Sequence, residues 1–420
     1  MKKINKWLLL PITFIILFCV GCSQKNINPV KLPAPATSYQ ENSLDLKVKS
    51  AVAFDLKNGQ IFYAKNATKK YPVASMSKLI TIYLTLQAIK DDKISWNQEV
   101  TPDKDIVSVA NNQDFANVAI KLSHSYTIRQ LYQATLIQSA NDAAMMLAKA
   151  VSGNQQKFVI QMRELLKSWR INDAQIYTPD GLPNYSLGSQ KFTDNKMAEN
   201  ELSANDMGIV IQHLLKDYPQ VIETTKIAKL DFKDENSNFQ MQNWNWMLPG
   251  LSQYDAQFPV DGLKTGTTDA AGACFAGTMV KNGRRIVTVV MGAKHVDSSD
   301  PSRFDETKKL LTFIFNNYQL YIFKKGQKLN GTNTVSVKSG RPKKVTPVLQ
   351  EDNGVWLRNN QKLQMQFNQN FITAPVNKGE KVGTLIDTSI PALNKNNALT
   401  LPATVNENIK SANFFSQIFN

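Results

Sequence analysis

The sequence predicts an α+β fold, in which one antiparallel sheet carries a cluster of helices and is followed by a small all-β domain. Strand-like segments joined by Asn-Gly turns occur near both ends of residues 45–320, and helical patterns lie between them. Short alternating strands separated by Gly, Asn and Pro follow over residues 321–405. The length of 420 residues, at roughly 150 per domain, agrees with this division.

The N-terminus predicts export. Three lysines within residues 1–6 precede an almost uninterrupted apolar run over residues 7–21, which is typical of a secretory signal and, at about 15 residues, is short for a membrane span. The run ends in a Gly-Cys pair and resembles a bacterial lipobox, with Cys19 where leucine is usual. This resemblance predicts a signal peptide over residues 1–22 and lipidation of Cys22; ordinary cleavage nearby and an uncleaved anchor are the alternatives. Each of them places the chain outside the cytoplasm.

A tether and a hairpin are predicted next. Residues 23–44 are polar and Pro-rich, which is typical of a tether. Two strand-like segments, SAVAFDL from Ser50 and the later IFYAKN, flank an Asn-Gly pair at 58–59, which is a strong hairpin signal. The apolar stretch SKLITIYLTLQAI at 77–89 is too continuous for a surface helix, so it predicts a buried one.

Helices fill the middle of the chain. Residues 127–130 (TIRQ) have the pattern of a capping box and predict a helix that runs to about Gln138. Asn141, with the aspartate after it, is predicted to cap the next helix, which stops at Gly153. Helical periodicity over residues 307–317 predicts the last helix of this part.

A second hairpin returns the chain to strands. The segments VDGLKTGTT, ACFAGTMV and IVTVVMGA lie between residues 260 and 293, and an Asn-Gly turn joins the last two. Since hairpins stand at both ends of residues 45–320, we expect both to contribute to one antiparallel sheet.

The net charge of +15, from 49 Lys and Arg against 34 Asp and Glu, suggests a polyanionic partner. Residues 321–420 hold thirteen of the basic residues and only five of the acidic ones. Export excludes nucleic acid as the partner. We therefore expect the β domain to bind anionic membrane lipid or an anionic wall polymer.

The C-terminal residues 406–420 predict an amphipathic segment that contacts the membrane. Its apolar side chains fall roughly on one helical stripe: Ile409, Ala412, Phe415, Ile418 and Phe419.

Cysteine and histidine usage predicts neither a disulfide framework nor a metal site. If Cys22 is acylated, Cys274 remains alone in the mature chain. The three histidines, His124, His213 and His295, lie far apart and form no metal-binding pattern.

Ser75-Met76-Ser77-Lys78 is a candidate nucleophile and base. Residues i and i+3 share one helix face, so the amine of Lys78 is expected beside the hydroxyl of Ser75. A serine becomes a strong nucleophile when a base removes its proton, and a lysine serves as that base only when burial or a nearby cation keeps it neutral. The alternative is a helix N-cap serine with a surface lysine, since S-x-x-K arises by chance about once or twice in such a chain.

Lys264-Thr265-Gly266, on a predicted strand, supplies further candidates. Lys264 is a candidate for the second cation that keeps Lys78 neutral. The hydroxyls of Thr265 and Thr267 are candidates for binding a substrate carboxylate. Gly266 has no side chain, so a ligand can approach the strand closely. A solvated strand end is the alternative interpretation.

The tetrapeptide Ser-Ala-Asn-Asp occurs twice, at 139–142 and at 203–206, and both copies precede helical patterns. In the first copy, a loop between two helices can present Ser139 and Asn141 to a cleft. The second copy follows a polar stretch and precedes an amphipathic helix, so we interpret it as a helix N-cap.

The order S-x-x-K, S-x-N, K-T-G resembles that of the active-site serine penicillin-recognising enzymes, whose domain has a β-lactamase/transpeptidase-like fold. Within them, the strings VASMSKLIT, LIQSANDAAMMLA and VDGLKTGTTDAAGACFAGT resemble low-molecular-mass penicillin-binding proteins of the serine-type D-alanyl-D-alanine carboxypeptidase family. The resemblance covers about residues 45–318, extends more weakly to the β domain, and includes residues 178–183 (TPDGLP) and Arg303-Phe304. It also assigns the first Ser-Ala-Asn copy to catalysis and the second to a helix start.

The resemblance implies a role for each reactive residue, and it also implies that the reaction needs no cofactor. Ser75 would form an acyl-enzyme with the penultimate D-Ala carbonyl of a peptidoglycan stem pentapeptide, and Lys78 would be its general base. Ser139 would pass a proton to the leaving D-Ala, and Asn141 would orient Lys78 and the substrate amide.

The resemblance also implies the binding residues and the partners. Lys264 would supply positive potential, Thr265 and Gly266 would line the carboxylate site, and Arg303 would be a second carboxylate ligand. The amide of Thr267, with that of the nucleophile, would form an oxyanion hole. β-Lactam antibiotics would acylate the same serine, and the enzyme would act at the outer face of the bacterial cell membrane.

Three other functions share parts of this pattern. A D,D-endopeptidase would cleave cross-links with the same residues. A serine β-lactamase is disfavoured because its Glu-x-x-x-Asn motif matches only residues 201–205, which fit a helix cap, and because of the extra β domain. A non-catalytic wall-binding lipoprotein is disfavoured because all the reactive side chains are kept.

Overall fold

The structure, a computed structural model, describes residues 44–234 and 237–412. Its helices are α1 (Lys78–Lys90), α2 (Lys104–Ala110), α3 (Ile128–Ile137), α4 (Asn141–Ser152), α5 (Gln155–Ser168), α6 (Ala204–Asp217), α7 (Val221–Thr225) and α8 (Ser302–Asn317), with short 3-10 helices at Ala74–Ser77 and Asn184–Gln190.

The strands that precede α8 are β1 (Ser50–Asp55), β2 (Ile61–Lys65), β3 (Lys70–Pro72), β4 (Glu99–Val100), β5 (Tyr126–Thr127), β6 (Glu201–Ser203), β7 (Lys229–Asp234), β8 (Ser237–Gln242), β9 (Val260–Thr268), β10 (Gly272–Lys281) and β11 (Arg284–Ala293). Those that follow it are β12 (Tyr318–Phe323), β13 (Val335–Lys338), β14 (Gly340–Arg341), β15 (Lys344–Val345), β16 (Val348–Leu349), β17 (Asn353–Arg358), β18 (Gln366–Phe367), β19 (Phe371–Thr373), β20 (Gly383–Asp387), β21 (Leu399–Thr404) and β22 (Lys410–Ser411).

The central sheet is assembled from both ends of the first domain, as predicted. Its strand order is β2-β1-β11-β10-β9, and each neighbouring pair is antiparallel. Ser50 lies opposite Met291, and Lys281 lies opposite Arg284 at the predicted Asn-Gly turn. Strand β9 is at the edge of this sheet, so one row of its main-chain groups has no strand partner in the sheet.

The sheet separates two apolar cores. On one face α1, α3, α4 and α6 form the larger core, and ten of the thirteen residues of α1 are buried, which confirms the predicted buried helix. On the other face α8 packs through Phe304 and Leu310 against strand residues such as Phe62 and Phe275. This arrangement of helices on both faces of an antiparallel sheet is the α+β architecture that the sequence predicted.

The observed positions of the helix termini confirm one prediction and correct two others. The capping box of Thr127 is present and opens α3, as predicted. Asn141 is instead the first residue of α4 and makes no capping hydrogen bond, because its side chain is bound elsewhere. Helix α8 begins at Ser302 rather than at Thr307, which places Arg303 in its first turn.

The C-terminal domain is all-β, as predicted. Its strands form small sheets, of which the largest has the order β16-β21-β20-β18. The predicted strand over the segment KKVTPVL is two short strands, β15 and β16. The sheets enclose a core of their own, with Leu349, Val355, Leu385, Leu399 and Leu401 among its buried residues.

The segment predicted to contact a membrane, 406–420, begins inside this domain. Ile409 is 1% exposed, belongs to the domain core, and pairs with Val376 through main-chain hydrogen bonds. Lys410 continues into β22, which pairs with β14. Ile409 therefore does not face a membrane, which corrects that part of the prediction. Residues 413–420 lie outside the described residues.

One tryptophan connects the two domains. The indole N–H of Trp356, on β17, donates to the carboxylate of Asp55 at 2.9 Å, and the guanidinium of Arg284 donates to the same carboxylate at 2.6 and 2.8 Å. The Trp356 ring is 1% exposed and meets Phe62 edge-on, with 5.8 Å between ring centroids. Trp356 thus packs in the core beneath α8 rather than in that of its own domain.

The predicted signal peptide, the lipidation of Cys22 and most of the tether lie outside the described residues. Within residues 44–234 and 237–412, no helix has the length and apolar character needed to cross a membrane.

Candidate active site

The candidate nucleophile Ser75 lies in a tight turn that the surrounding structure holds in place. The 3-10 helix Ala74–Ser77 leads directly into α1. Ala74 has φ +47°, a left-handed conformation that costs a residue with a side chain about 1–3 kcal/mol. Gly181 packs so closely against this turn that a Cβ atom at its position would lie 2.0 Å from the carbonyl oxygen of Ala74. Only glycine is therefore compatible with this contact.

The amine of Lys78 is fully buried and contacts three acceptors. Its Nζ lies 2.7 Å from Ser75 Oγ, 2.7 Å from Asn141 Oδ1 and 2.7 Å from the main-chain oxygen of Asp180. The spacing of three residues between Ser75 and Lys78 does bring the hydroxyl and the amine together, as the sequence predicted.

Burial lowers the pKa of Lys78 to about 8, although the negative charges of Asp180 and Asp142 act to raise it. The sequence predicted that burial or a nearby cation, with Lys264 as the candidate, keeps Lys78 neutral. Burial is the cause of the lowered Lys78 pKa, and the charge of Lys78 in turn lowers the pKa of Lys264.

Ser139 and Asn141 border the same cleft as Ser75. Ser139 is 5% exposed and has φ +61°, again a strained conformation for a residue with a side chain. The amide of Asn141 donates to the main-chain oxygen of Ala116 at 2.9 Å, which orients the side-chain oxygen towards Lys78.

Asp142 anchors the segment opposite Asn141. Its buried carboxylate accepts hydrogen bonds from the amides of Val118 at 3.1 Å, Ile120 at 3.3 Å and Ala143 at 2.8 Å. Burial raises the pKa of Asp142 to about 6 despite these bonds. Since a carboxylate without hydrogen bonds would be costly here, Asp142 acts as a structural support for the segment that holds Asn141.

Gly266 allows β9 to approach the Ser75 turn. A Cβ atom on Gly266 would lie 2.7 Å from the main-chain oxygen of Val73 and 3.1 Å from the amide nitrogen of Ser75. The nucleophile turn thus occupies the space that a side chain at position 266 would need, and Gly266 also lines the cleft, where the sequence predicted a close approach of the ligand to the strand. Lys264, on the same strand, is 2% exposed, and burial followed by the charges of Lys78 and Arg303 lowers its pKa well below the usual value.

Arg303 is brought to the same strand by the first turn of α8. Its guanidinium donates to the main-chain oxygens of Gly266 at 3.0 Å and Cys274 at 3.2 Å, and to Thr267 Oγ1 at 2.7 Å. Within the described residues no carboxylate forms an ion pair with it. Thr265 is largely buried, whereas Thr267 is exposed to the cleft.

One cleft of about 720 Å³ is lined by Ser75, Ser139, Asn141, Thr265, Gly266, Thr267 and Arg303. Three further residues in or next to the site were not predicted to belong to it, because none of them lies in a motif with known chemistry. Asp180 precedes the noted Gly-Leu-Pro segment, Glu199 lies in a stretch interpreted only as polar, and Trp244 follows the hairpin of β7 and β8. The indole of Trp244 donates to the main-chain oxygen of Gln138 at 3.1 Å, next to the Ser139 loop.

The second Ser-Ala-Asn-Asp copy is a helix cap, as interpreted. The hydroxyl of Ser203 accepts from the amide of Asp206 at 3.1 Å, and the carboxylate of Asp206 accepts from the amide of Ser203 at 2.9 Å. Glu201 belongs to strand β6 and pairs with Pro72. These residues do not line the cleft within the part of the chain that the structure describes.

Metal-binding groups are not clustered in the described residues: no group of three or more His, Cys, Asp or Glu side chains is placed to hold a metal ion. Cys274 is a free, buried thiol on β10.

Comparison with known proteins shows the family of the chain. The sequence profile of the D-alanyl-D-alanine carboxypeptidase family matches residues 36–295. The chain belongs to this family. The profile of the penicillin-binding protein 5 C-terminal domain matches residues 319–411, so the carboxypeptidase continues into the all-β domain typical of such proteins.

Relatives of this carboxypeptidase extend over most of its length. It is 27% identical over 383 residues to the D-alanyl-D-alanine carboxypeptidase DacF of Bacillus subtilis, and the match covers 88% of each chain. The structure of a peptidoglycan synthesis regulatory factor (PBP3) of Streptococcus pneumoniae superposes with a TM-score of 0.73 and 32% identity, covering 87% of this chain and all of the other. The cefotaxime-bound penicillin-binding protein D2 of Listeria monocytogenes has a TM-score of 0.53 and 27% identity over 65% of this chain and 99% of its own. The enzyme is a serine-type D-alanyl-D-alanine carboxypeptidase, as the sequence predicted.

Proposed function

We propose that Ser75 is the nucleophile of this carboxypeptidase and that Lys78 is its base. The contact that carries the proposal is the 2.7 Å distance between Lys78 Nζ and Ser75 Oγ in a site without solvent access to the amine. Burial keeps the pKa of Lys78 at about 8, so a substantial fraction of the amine is neutral near pH 7 to 8 and able to accept the serine proton.

In the first half of the reaction, the neutral amine of Lys78 takes the proton of Ser75 while Oγ bonds to the penultimate D-Ala carbonyl carbon. The amides of Ser75 and Thr267 donate to the oxygen that becomes negative. The C–N bond then breaks as Ser139 gives its hydroxyl proton to the departing nitrogen of the terminal D-Ala and takes in exchange the proton held by Lys78, which leaves the Lys78 amine neutral again. The product is a serine ester of the shortened peptide, with free D-Ala.

In the second half, water attacks the ester carbon. Lys78 accepts a proton from this water, and the ester bond to Ser75 Oγ breaks as the serine regains its proton. Asn141 keeps the amine in position through its 2.7 Å contact. The shortened stem peptide leaves as a carboxylate, and the enzyme returns to its starting state.

The terminal carboxylate of the substrate binds beside β9 in this proposal. Thr265, Gly266 and Arg303 line the cleft, and the Arg303 guanidinium supplies positive charge that no described carboxylate pairs with. Lys264, on the same strand, would add positive potential when it is protonated. β-Lactams carry a carboxylate next to a reactive amide and would use the same groups. The cefotaxime-bound relative from Listeria monocytogenes supports this second ligand class.

Fluorescent penicillin and three substrates test the assignment. We expect covalent labelling of the parent and of Ser168→Ala, a control on the exposed face of α5, and no labelling of Ser75→Ala. We also expect D-Ala release from a stem pentapeptide that ends in D-Ala-D-Ala. Faster opening of cross-linked dimers would make the enzyme an endopeptidase, rapid penicillin turnover would make it a β-lactamase, and labelling of Ser75→Ala would remove Ser75 as the nucleophile.

We further propose that the enzyme works at the outer face of the bacterial membrane, with Cys22 as its lipid anchor and the β domain bound to an anionic wall polymer or lipid. Of the thirteen Lys and Arg in residues 321–420, all but Arg358 are exposed. Exposed Lys and Arg side chains attract a polyanion electrostatically, and dissolved salt screens this attraction. Binding of the full enzyme to wall fragments that weakens from 50 to 500 mM salt would support this, and no binding at low salt would contradict it.

A further inference from the structure

The Ser75 turn is attached to a second turn, which spans residues 177–182. The main-chain oxygen of Asp180, in this second turn, accepts a hydrogen bond from Lys78, and Gly181 packs directly against the main chain of the Ser75 turn. The position of the Lys78 amine relative to Ser75 therefore depends on how the two turns are held together.

One buried side chain, that of Asn200, bonds to both turns. Its Oδ1 accepts from the amides of Tyr177 at 2.6 Å and Thr178 at 3.1 Å. Its Nδ2 donates to the main-chain oxygen of Thr178 at 2.8 Å and to Ser77 Oγ at 2.9 Å. An asparagine side chain has two donor hydrogens and an oxygen that can accept two bonds. Asn200, which is 0% exposed, therefore uses the whole hydrogen-bonding capacity of its side chain on these two turns.

At the Ser75 turn, Asn200 reaches the residues on both sides of the nucleophile. The hydroxyl of Ser77 accepts from Asn200 and donates to the main-chain oxygen of Ala74 at 2.8 Å. Ala74 has the strained φ of +47° and directly precedes Ser75. The main-chain oxygen of Asn200 also accepts from the amide of Val73 at 2.9 Å. These contacts hold the turn against the relaxation that the strain at Ala74 favours.

At the second turn, Thr178 connects this network to the acceptor of Lys78. The hydroxyl of Thr178 donates to the main-chain oxygen of Leu182 at 2.9 Å and accepts from the amide of Gly181 at 3.0 Å. These two bonds close the turn around Asp180, whose main-chain oxygen binds the Lys78 amine. The side chain that holds Thr178 therefore also determines where this acceptor lies.

We propose that Asn200 is a positioning residue of the reaction, which sets the distance between Ser75 Oγ and Lys78 Nζ by joining the two turns. Asn200 is buried and does not line the cleft, so it acts through Ser77 and Thr178. Without it the two turns can move relative to each other, and a displacement near 1 Å is enough to slow a reaction strongly. This inference rests on the proposed function, because it takes Ser75 as the nucleophile and Lys78 as its base.

The kinetics of acylation by a fluorescent penicillin test the role of Asn200. The dependence of the observed rate on penicillin concentration separates the dissociation constant from the acylation rate constant. In Asn200→Ala we expect the rate constant to fall by about 10- to 100-fold and the dissociation constant to change by less than about threefold. Gln155→Ala is the control: it removes another fully buried amide side chain, which bonds to the main-chain oxygen of Met145 at 2.9 Å, and should keep the parental rate constant.

Ser77→Ala provides a second test that does not depend on the stability of Asn200→Ala. It removes one link while the other three hydrogen bonds of the Asn200 side chain remain, so the rate constant should fall by a smaller factor, about 3- to 10-fold. If Asn200 acts through Ser77, the substitution Ser77→Ala should have less effect in Asn200→Ala than in the parent.

A parental acylation rate constant in Asn200→Ala would overturn the inference; if that variant does not fold, a parental rate constant in Ser77→Ala would do so. A loss confined to the fraction of protein that can be labelled would also overturn it, because Asn200 would then affect stability alone. Labelling of Ser75→Ala would instead contradict the proposed function.

Discussion

Lys78 donates to the main-chain oxygen of Asp180 at 2.7 Å, so the residue that fixes the amine in position also places a buried carboxylate near it. Oδ1 of that carboxylate accepts from the amide of Leu182 at 2.9 Å, and the buried Oδ2 has no hydrogen-bond partner. Burial raises the pKa of Asp180, and its charge is the largest influence that favours protonation of Lys78.

The pH dependence of the acylation rate should show the effect of Asp180 on the pKa of Lys78. Acylation requires neutral Lys78, whose pKa of about 8 means that the rate rises with pH and approaches a plateau above that value. Asp180→Asn removes the charge that favours the ammonium form, so the midpoint should move to lower pH. The other charge that acts on the pKa of Lys78 is that of Asp142, which also favours the ammonium form.

The rate constant for acylation by a fluorescent penicillin, measured from pH 5 to pH 10, checks the direction of this shift. Asp173→Asn changes an exposed carboxylate and should keep the parental midpoint. A midpoint that moves to higher pH in Asp180→Asn would show that Asp180 does not stabilise the Lys78 ammonium.

The two Ser-Ala-Asn-Asp copies offer a matched pair of variants. Ser139→Ala should reduce D-Ala release by about 10²- to 10⁴-fold, because it removes the proposed proton donor to the leaving group. Ser203→Ala removes a helix cap and should cost about 1 kcal/mol of stability, with the acylation rate retained. Steady-state kinetics and thermal unfolding of both variants separate the two effects. Equal kinetic losses would mean that the loop at Ser139 has no special role.

Gly266→Ala should misplace the nucleophile. Its Cβ would lie 2.7 Å from the main-chain oxygen of Val73, so β9 and the Ser75 turn have to move apart. We expect acylation to slow by about 100-fold, since a displacement near 1 Å has effects of this size. Gly283→Ala, in the open turn between β10 and β11, provides the control: its backbone strain should lower stability and leave acylation unchanged. Parental acylation by Gly266→Ala would show that the turn has room to adjust.

Trp356→Ala should destabilise both domains together. Its ring fills the core beneath α8 and its N–H bonds to Asp55, so truncation leaves a cavity and removes one of the hydrogen bonds to this carboxylate, which Arg284 still binds; a loss of about 3–5 kcal/mol is expected. Because this core is shared, the parent should unfold in one cooperative transition in urea. Trp244→Ala, at the exposed rim of the cleft, should change the unfolding free energy far less. Two separate transitions in the parent would show that the domains are energetically independent.

The features that could be predicted depend on residues that lie close together in the sequence. The capping boxes at Thr127 and Ser203, the Asn-Gly hairpins and the Ser75–Lys78 spacing depend on residues within a few positions of one another. Their geometry is set by helix and strand periodicity, so the sequence contains the information directly. The two copies of Ser-Ala-Asn-Asp were separated in this way, by their flanking residues.

The features that could not be predicted depend on contacts between residues that lie far apart in the sequence. The sequence left open whether burial or a neighbouring cation lowers the pKa of Lys78, and the tertiary structure shows that burial is the cause. The segment that was predicted to contact a membrane contains strand β22 and the buried side chain of Ile409, which belongs to the β-domain core. Neither environment is visible in the local pattern of residues.

The sequence by itself determined the fold class, the three motifs and the family to which the chain belongs, since these depend on residue type, order and local spacing. Only the tertiary structure decided that Asp180 lies beside Lys78, that Glu199 binds Thr268 with its charge unpaired, and that Trp356 joins the two domains. Each of these pairs is separated by many residues along the chain, and packing of the whole core brings its members together.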